Sequence, residues 1–270
     1  MAERNSNVQL TATLADWDDV EDSEYRFLVD GKDVKYITTA PGSFPEDDRT
    51  FAPILIPLLP EFPPGDWNEG HVSKNKITGE LEFTRYTTAI LPGVENNWQP
   101  IKVDHLELVK LARLRQNIHK VSHPRFPRPI VVKFAEFPWM IPQIELETTA
   151  YQRIVGAGIG PNFLGHVTEA GRTIGFLIDF VEDSRTAGLE DLAACQRILS
   201  KLHGLGLRHG DINKHNFLVG NENVVMIDFE TTKECDAKEE LEEEYSRLEE
   251  SLKDPSYRGG VGPSTVGRPS

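Results

Sequence analysis

The string His209-Gly210-Asp211-Ile212-Asn213-Lys214-His215-Asn216, followed at 227–230 by Ile-Asp-Phe-Glu, constrains this chain most. Asp211 and Asn216 are five residues apart, and Asp228 comes twelve after Asn216. In front lies LEDLAACQRILSKLHGLG (189–206), which reads as a helix. Its Leu192, Leu199 and Leu202 recur at helical spacing, and Gly204 and Gly206 mark its end. Behind it, FLV (217–219) and VVMIDF (224–229) read as a short hairpin across Gly220-Asn221-Glu222-Asn223. The chain must therefore fold a polar loop between a helix and a hairpin. An Asp and an Asn five apart on such a loop present a proton acceptor and an amide oxygen on one side. An Asp at the end of the hairpin adds a carboxylate. Mg²⁺ takes hard oxygen ligands and keeps several waters, so one carboxylate and one amide suffice to hold it. Phosphoryl transfer needs little more than such ligands and a group that orients the acceptor hydroxyl.

Upstream, NIHKV (117–121) and PIVVKF (129–134) read as two strands joined by a proline-rich turn. PQIELETTAYQRIVGAG (142–158) reads as a helix with Ile144, Leu146, Ala150, Tyr151 and Ile154 mostly on one side, stopped by Gly156 and Gly158. TIGFLIDFV (173–181) is nearly all apolar, the pattern of a strand buried on both faces.

With these elements in order, HGDxxxxN followed by DF resembles the catalytic and metal loops of the protein-kinase-like superfamily. The glycine of HGD is similar to the aminoglycoside- and choline-kinase-like branch. GPNFLGHVTEAGRTIGF (160–176) and LRHGDINKHNFLV (207–219) also resemble fungal kinase-like proteins. The resemblance covers about 101 to 231 and implies an α+β, bilobal protein-kinase-like fold. To this the chain adds a β-rich N-terminal extension and a truncated C-lobe. It implies ATP and Mg²⁺ as cofactors, Asp211 as catalytic base, and Asn216 and Asp228 as metal ligands. VVKF (131–134) resembles the strand lysine that grips the α and β phosphates, which assigns Lys133. ETTAY (147–151) resembles the helix glutamate that holds this lysine, which assigns Glu147. Glu145 is the rival, but Glu147 lies three residues before Ala150 and four before Tyr151, on their face. IDFVED (178–183) stands where the adenine-binding hinge is expected, which assigns Asp179, Phe180 and Val181 to the nucleotide.

Three features depart from that pattern. No glycine-rich loop precedes Lys133: ELVKLARLRQNIHK (107–120) has no glycine at all, so phosphate gripping falls to side chains such as Arg113 or Arg115. The metal motif reads DFE, and Glu230 lacks the backbone freedom of glycine. Only 42 residues follow Asp228, too few for a peptide-binding platform. The expected activity is therefore phosphoryl transfer from ATP to a small-molecule hydroxyl. The alternatives are a diverted nucleotidyl or aminoacyl transfer, a compact atypical protein kinase and a non-catalytic binding module.

Residues 1–100 read as a separate β-rich extension, before an N-lobe and hinge at 101–181, a compact C-lobe at 182–254 and a flexible tail at 255–270. Nine of the 18 prolines lie in the first hundred residues, and FAPILIPLLPEFPPGDW (51–67) is expected to form no regular helix. EYRFLVDGKDVKYITT (24–39) alternates around Asp30-Gly31 as a hairpin does, and LEFTRYTTAIL (81–91) reads as a strand. AKEELEEEYSRLEESLK (237–253) is an acidic helix with Leu241, Tyr245, Leu248 and Leu252 as its apolar stripe.

A net charge of −14 weighs against nucleic acid and anionic membranes as partners. The partners expected are a nucleotide and a small-molecule acceptor, and no oligomeric state follows from the sequence. The two cysteines, Cys195 and Cys235, match no metal spacing, and there is no secretory leader or apolar run of about 20 residues. A cytoplasmic or nuclear location is expected. GAGIGP (156–161) follows a helix and reads as its stop, not as a dinucleotide fingerprint. His203, His209 and His215 recur every six residues, a spacing no helix face aligns, so His209 is expected to brace the loop. Trp17, Trp67, Trp98 and Trp139 read as packing aromatics.

Overall fold

The computed structural model describes residues 4–221 and 223–256. Most of the expected tail at 255–270, and Glu222 in the hairpin turn, lie outside the described residues. The protein is mixed α+β and divides into two compact units, Met1–Leu91 and Pro92–Ser270.

The first unit is a five-stranded sheet in the order β1-β2-β3-β4-β5, formed by β1 (Val8–Leu14), β2 (Ser23–Val29), β3 (Asp33–Thr39), β4 (Glu69–Lys74) and β5 (Leu81–Thr87). The β2–β3 hairpin turns at Asp30 and Gly31, both at positive φ (53° and 68°), as a right-twisted two-strand hairpin requires. Tyr25, Phe27, Ile37 and Val72 from the strands form their own core together with Trp67, which lies just before β4. The proline-rich stretch does contain a helix, α1 (Ala52–Leu58), contrary to expectation. Pro53 lies in the first turn, where its missing N–H had no intrahelical partner, and α1 is so short that Pro57 costs it little hydrogen bonding. Leu55, fully buried, supplies the packing that holds this turn in place.

The second unit begins with β6 (Lys102–Asp104), β7 (Val109–Arg115), β8 (Ile118–Ser122) and β9 (Ile130–Phe134). Then come α2 (Ile141–Ile154), β10 (Phe163–Glu169) and β11 (Arg172–Asp179). The six strands form one sheet, β6-β10-β11-β9-β8-β7, antiparallel except for the β6–β10 pair. β9 and β11 are central and almost wholly buried, which is why they read as apolar runs. α2 begins with Pro142 in its first turn and stops at Ile154, before Gly156 at φ 76°. It buries Ile144, Glu147, Ala150, Tyr151 and Ile154, whereas Leu146 faces solvent. Phe163, Phe176 and Phe229 surround Tyr151, with ring centroids 5.2–5.7 Å from it. Each such ring contributes roughly 1.5–3 kcal/mol by leaving water.

The remainder comprises β12 (Arg185–Thr186), α3 (Leu192–Gly204), β13 (Leu207–Arg208), β14 (Phe217–Val219), β15 (Val224–Met226), β16 (Lys233–Glu234) and α4 (Lys238–Lys253). β14 and β15 form the expected hairpin, with β12 on its edge, and β13 pairs β16. α4 docks on α3 and buries Glu244, Leu248 and Leu252, while Leu241 and Tyr245 are half-buried. Two of the tryptophans do pack, Trp67 in the first unit and Trp98 against Phe163 at 4.6 Å. Trp17 and Trp139 are more than half exposed; neither is a core residue, although Trp139 stacks on Phe137.

Candidate active site

All the candidate residues lie in the second unit. β9 carries Lys133 at the middle of the sheet, and its buried ammonium meets three carboxylates. Glu147 Oε2 from α2 is 2.6 Å away, Asp228 Oδ1 2.7 Å and Glu230 Oε2 3.2 Å. Glu147 is the partner because helical spacing turns it inward with Ala150 and Tyr151. Glu145 points elsewhere and accepts the backbone N–H groups of Glu95 and Asn96. The second oxygen of Glu147 accepts the backbone N–H of Phe229 at 3.2 Å, so one carboxylate ties the strand lysine to the segment that carries Asp228.

The glycine-free β7–β8 hairpin sends Arg115 to Asp228, with Nη1 3.6 Å from Oδ2. Arg113 bends back instead, donating from Nε to the Arg115 carbonyl at 3.3 Å. Burial opposes the charge on Lys133, but Glu147, Asp228 and Glu230 together raise its pKa and keep it an ammonium. Burial pushes Asp228 up, yet Lys133 and then Arg115 hold it below its ordinary 3.8. For Glu147 burial is the largest influence and pushes it upward, against the pull of Lys133. The two shifts pull apart, and the direction that stands is that of Lys133, which stays charged because without it three carboxylates would face one another.

The loop from His209 to Asn216 is held from three sides. Thr231 Oγ1 donates to the His209 carbonyl at 2.8 Å. His209, fully buried, contacts the Ile227 carbonyl through Nε2 at 3.2 Å and accepts the Asp211 N–H on Nδ1 at 3.3 Å, so it braces the loop. The third support, Glu244, was not anticipated from sequence. From α4 its two oxygens accept the N–H groups of His209 (3.1 Å) and Gly210 (2.7 Å) and also meet His203 Nε2 at 2.8 Å. The only sequence signal is position: Glu244 lies on the apolar stripe, three after Leu241 and four before Leu248. Gly210 is required at its position. Its φ is 86°, and a Cβ there would lie 2.9 Å from the Thr231 carbonyl oxygen.

Asp211 and Asn216 touch. Asp211 Oδ2 accepts from Asn213 Nδ2 at 2.8 Å and from Asn216 Nδ2 at 3.2 Å, and Asn216 Nδ2 also donates to the Asp211 carbonyl at 2.9 Å. The Ile227 N–H donates to the Asn216 carbonyl at 3.0 Å, which fastens the Asp228 segment to the loop. Asn216 is fully buried, and its Oδ1 has no hydrogen-bond partner. A buried amide oxygen with nothing to accept is costly unless a further ligand meets it. That orphan and the carboxylate of Asp228 are both hard-oxygen donors, the type a divalent cation takes. Among the described residues, Glu147, Asp228 and Glu230 are the acidic group whose ligand atoms lie within 4.8 Å of one another.

At the expected hinge, Asp179 ends β11, with its N–H on the Asn162 carbonyl and its Oδ2 accepting from Asn162 Nδ2 at 2.7 Å. Lys120 Nζ lies 3.9 Å above the Phe180 ring, and the Val181 carbonyl accepts from Ser184 Oγ at 3.0 Å. Asp179 pairs with Ile130 at the end of the β11–β9 ladder that also holds Lys133, and the ion pairs of Lys133 are with Glu147, Asp228 and Glu230. Glu230 is absent from the non-glycine residues at positive φ; Asp228 takes that conformation instead, at φ 66°. The DFE sequence therefore needs no glycine at position 230.

No helix among the described residues is long and apolar enough to cross a membrane. No curated protein matches the chain. Residues 176–259 match the family model of the lipopolysaccharide kinase (Kdo/WaaP) family. The matched segment holds Asp179, Phe180, Val181, Asp211, Asn216 and Asp228 but not Lys133 or Glu147. That family belongs to the protein-kinase-like superfamily, and the match supports reading this chain as a kinase-like phosphotransferase.

Proposed function

We propose that the second unit is an ATP- and Mg²⁺-dependent phosphotransferase acting on a small-molecule hydroxyl. The observation that carries this reading is the contact of Lys133, Glu147 and Asp228, from β9, α2 and the segment after β15, beside a loop in which Asp211 and Asn216 are bonded. Each residue then has a distinct task. Lys133, oriented by Glu147, meets the phosphates as a point charge, and Arg115 adds a second cation where a glycine-rich loop would supply backbone N–H groups. Asp179, Phe180 and Val181 form the adenine-binding edge. Asn216 and Asp228 hold the divalent ion, which when bound neutralises phosphate charge.

Asp211 accepts and orients the acceptor's hydroxyl proton. Its side chain is fixed by two amide N–H donors, and it lines a small cavity of about 80 Å³ with Ile212, Arg247 and Ser251. The unit is bilobal in this reading: the six-stranded sheet with α2, from 101 to 181, forms one lobe, and 182–254 the other. The second of these holds α3 and α4. Two free thiols suit a reducing compartment, cytoplasmic or nuclear.

The test is incubation with Mg²⁺, γ-labelled ATP and a library of small-molecule alcohols and sugars, read by mass spectrometry. Label on a small-molecule hydroxyl, with ADP released, is expected. An adenylated product would replace phosphoryl by nucleotidyl transfer, and label on protein alone would move the acceptor class.

A further inference from the structure

We propose that Glu230 occupies the place of a nucleotide phosphate on Lys133 and has to leave it before Lys133 can grip a nucleotide; this rests on the phosphotransferase reading above. An ammonium has three N–H donors and no acceptor. Those of Lys133 are faced by Glu147 at 2.6 Å, Asp228 at 2.7 Å and Glu230 at 3.2 Å. A phosphate oxygen can bond Lys133 only by displacing one of them.

The three are not equally held. The Glu147 side chain is 3% exposed and also bonded to the Phe229 N–H. Asp228 is 18% exposed and faces Arg115 as well. Glu230 is 42% exposed, makes the longest of the three contacts, and has no partner but Lys133 among the described residues. The segment that carries it is tethered on both sides, Phe229 by its N–H to Glu147 and Thr231 by its hydroxyl to the His209 carbonyl, and the Thr232 N–H closes the turn onto the Phe229 carbonyl. The side chain can therefore swing while the main chain stays.

It also has somewhere to go. Glu230 lines a cavity of about 640 Å³ whose wall includes Thr231 and Lys233, and the Lys233 ammonium can receive the released carboxylate. With Glu230 seated, only the fraction of molecules with Lys133 uncovered is competent for a phosphate, and apparent affinity falls by that fraction.

The experiment is calorimetry on the full chain without divalent ions, with ATP, inorganic triphosphate and adenosine as probes, for wild type, Glu230→Gln and Glu230→Asp. Glu230→Gln removes the competing charge. Glu230→Asp keeps the charge and shortens the reach. Both variants are expected to bind ATP and triphosphate about 2- to 5-fold more tightly, the range of a partly exposed ion pair, with adenosine affinity unchanged. Tighter binding by Glu230→Gln alone, with Glu230→Asp like wild type, would mean general charge repulsion and overturn the displacement. Equal or weaker binding by both variants would overturn it too, while wild-type ATP binding left the phosphotransferase reading standing. If wild type and variants all fail to bind ATP and triphosphate, with Mg²⁺ restored as well, both readings fall together.

Discussion

Around Lys133 one ammonium faces three carboxylates with little water; around Asp211 a single carboxylate is met by neutral amides. The first cluster is bound by charge and is mostly buried, so removing its lysine leaves three carboxylates facing one another and the fold suffers. The second is a hydrogen-bonded loop at the edge of a small cavity, and its Asp can change without exposing a buried charge. The comparison teaches where stability and turnover should separate: variants at Lys133 damage both, whereas variants at Asp211 damage chemistry and spare the fold.

The largest effect is expected at Asp211. Asp211→Asn keeps size and one acceptor oxygen, and turnover should fall roughly 10²- to 10⁴-fold, the usual worth of a positioned base. Nucleotide affinity by calorimetry and the urea midpoint should stay near wild type. A folding defect would break the comparison, because Asp211 would then belong to the structural class.

Next is Lys133→Met, expected to cost about 3–5 kcal/mol in urea unfolding, since Glu147 at 3% exposure loses its cation. Adding Glu147→Gln should recover part of that loss, because the two residues share one interaction. A cost under about 1 kcal/mol, as for a surface pair, would mean that the cluster is solvated and the contrast with Asp211 is lost.

The smallest is Glu244→Gln, expected to cost about 1–3 kcal/mol through weakened bonds to the His209 and Gly210 N–H groups. Burial pushes Glu244 up, but His203 and those two N–H groups hold its carboxyl below the ordinary 4.5. A depressed carboxylate contributes stability that is full above its unfolded pKa and lost as pH falls through the folded one. Wild type should therefore lose stability below about pH 4.5, and the Gln variant should lose less over the same window. Parallel stability–pH curves for the two proteins would remove Glu244 as the charged support of the loop.

What was legible beforehand follows the range of the interactions. The five- and twelve-residue spacings and the glycine of HGD are local, and one loop with one hairpin realises them. Glu147 could be preferred over Glu145 because helix geometry alone turns it toward Ala150 and Tyr151. Glu244 could not be singled out, because α4 is rich in glutamates and only docking on α3 buries this one. The Glu230–Lys133 contact joins residues 97 apart and leaves no periodic trace. α1 escaped notice because proline propensity is a local rule and the burial of Leu55 is not. Leu146, Trp17 and Trp139 show the converse, apolar side chains that the packing leaves in water.

The central claim is that Asp228 and Asn216 give this site a divalent ion through which nucleotide binding is strengthened. Calorimetry of ATP binding to wild type and Asp228→Ala, each with and without Mg²⁺, tests it most directly. Wild type should bind ATP more tightly with Mg²⁺, and the variant should bind equally with and without it while keeping the far-ultraviolet dichroism of the wild type. An Mg²⁺-dependent gain in affinity of the same size in both proteins would contradict the assignment of Asp228 and the account built on it.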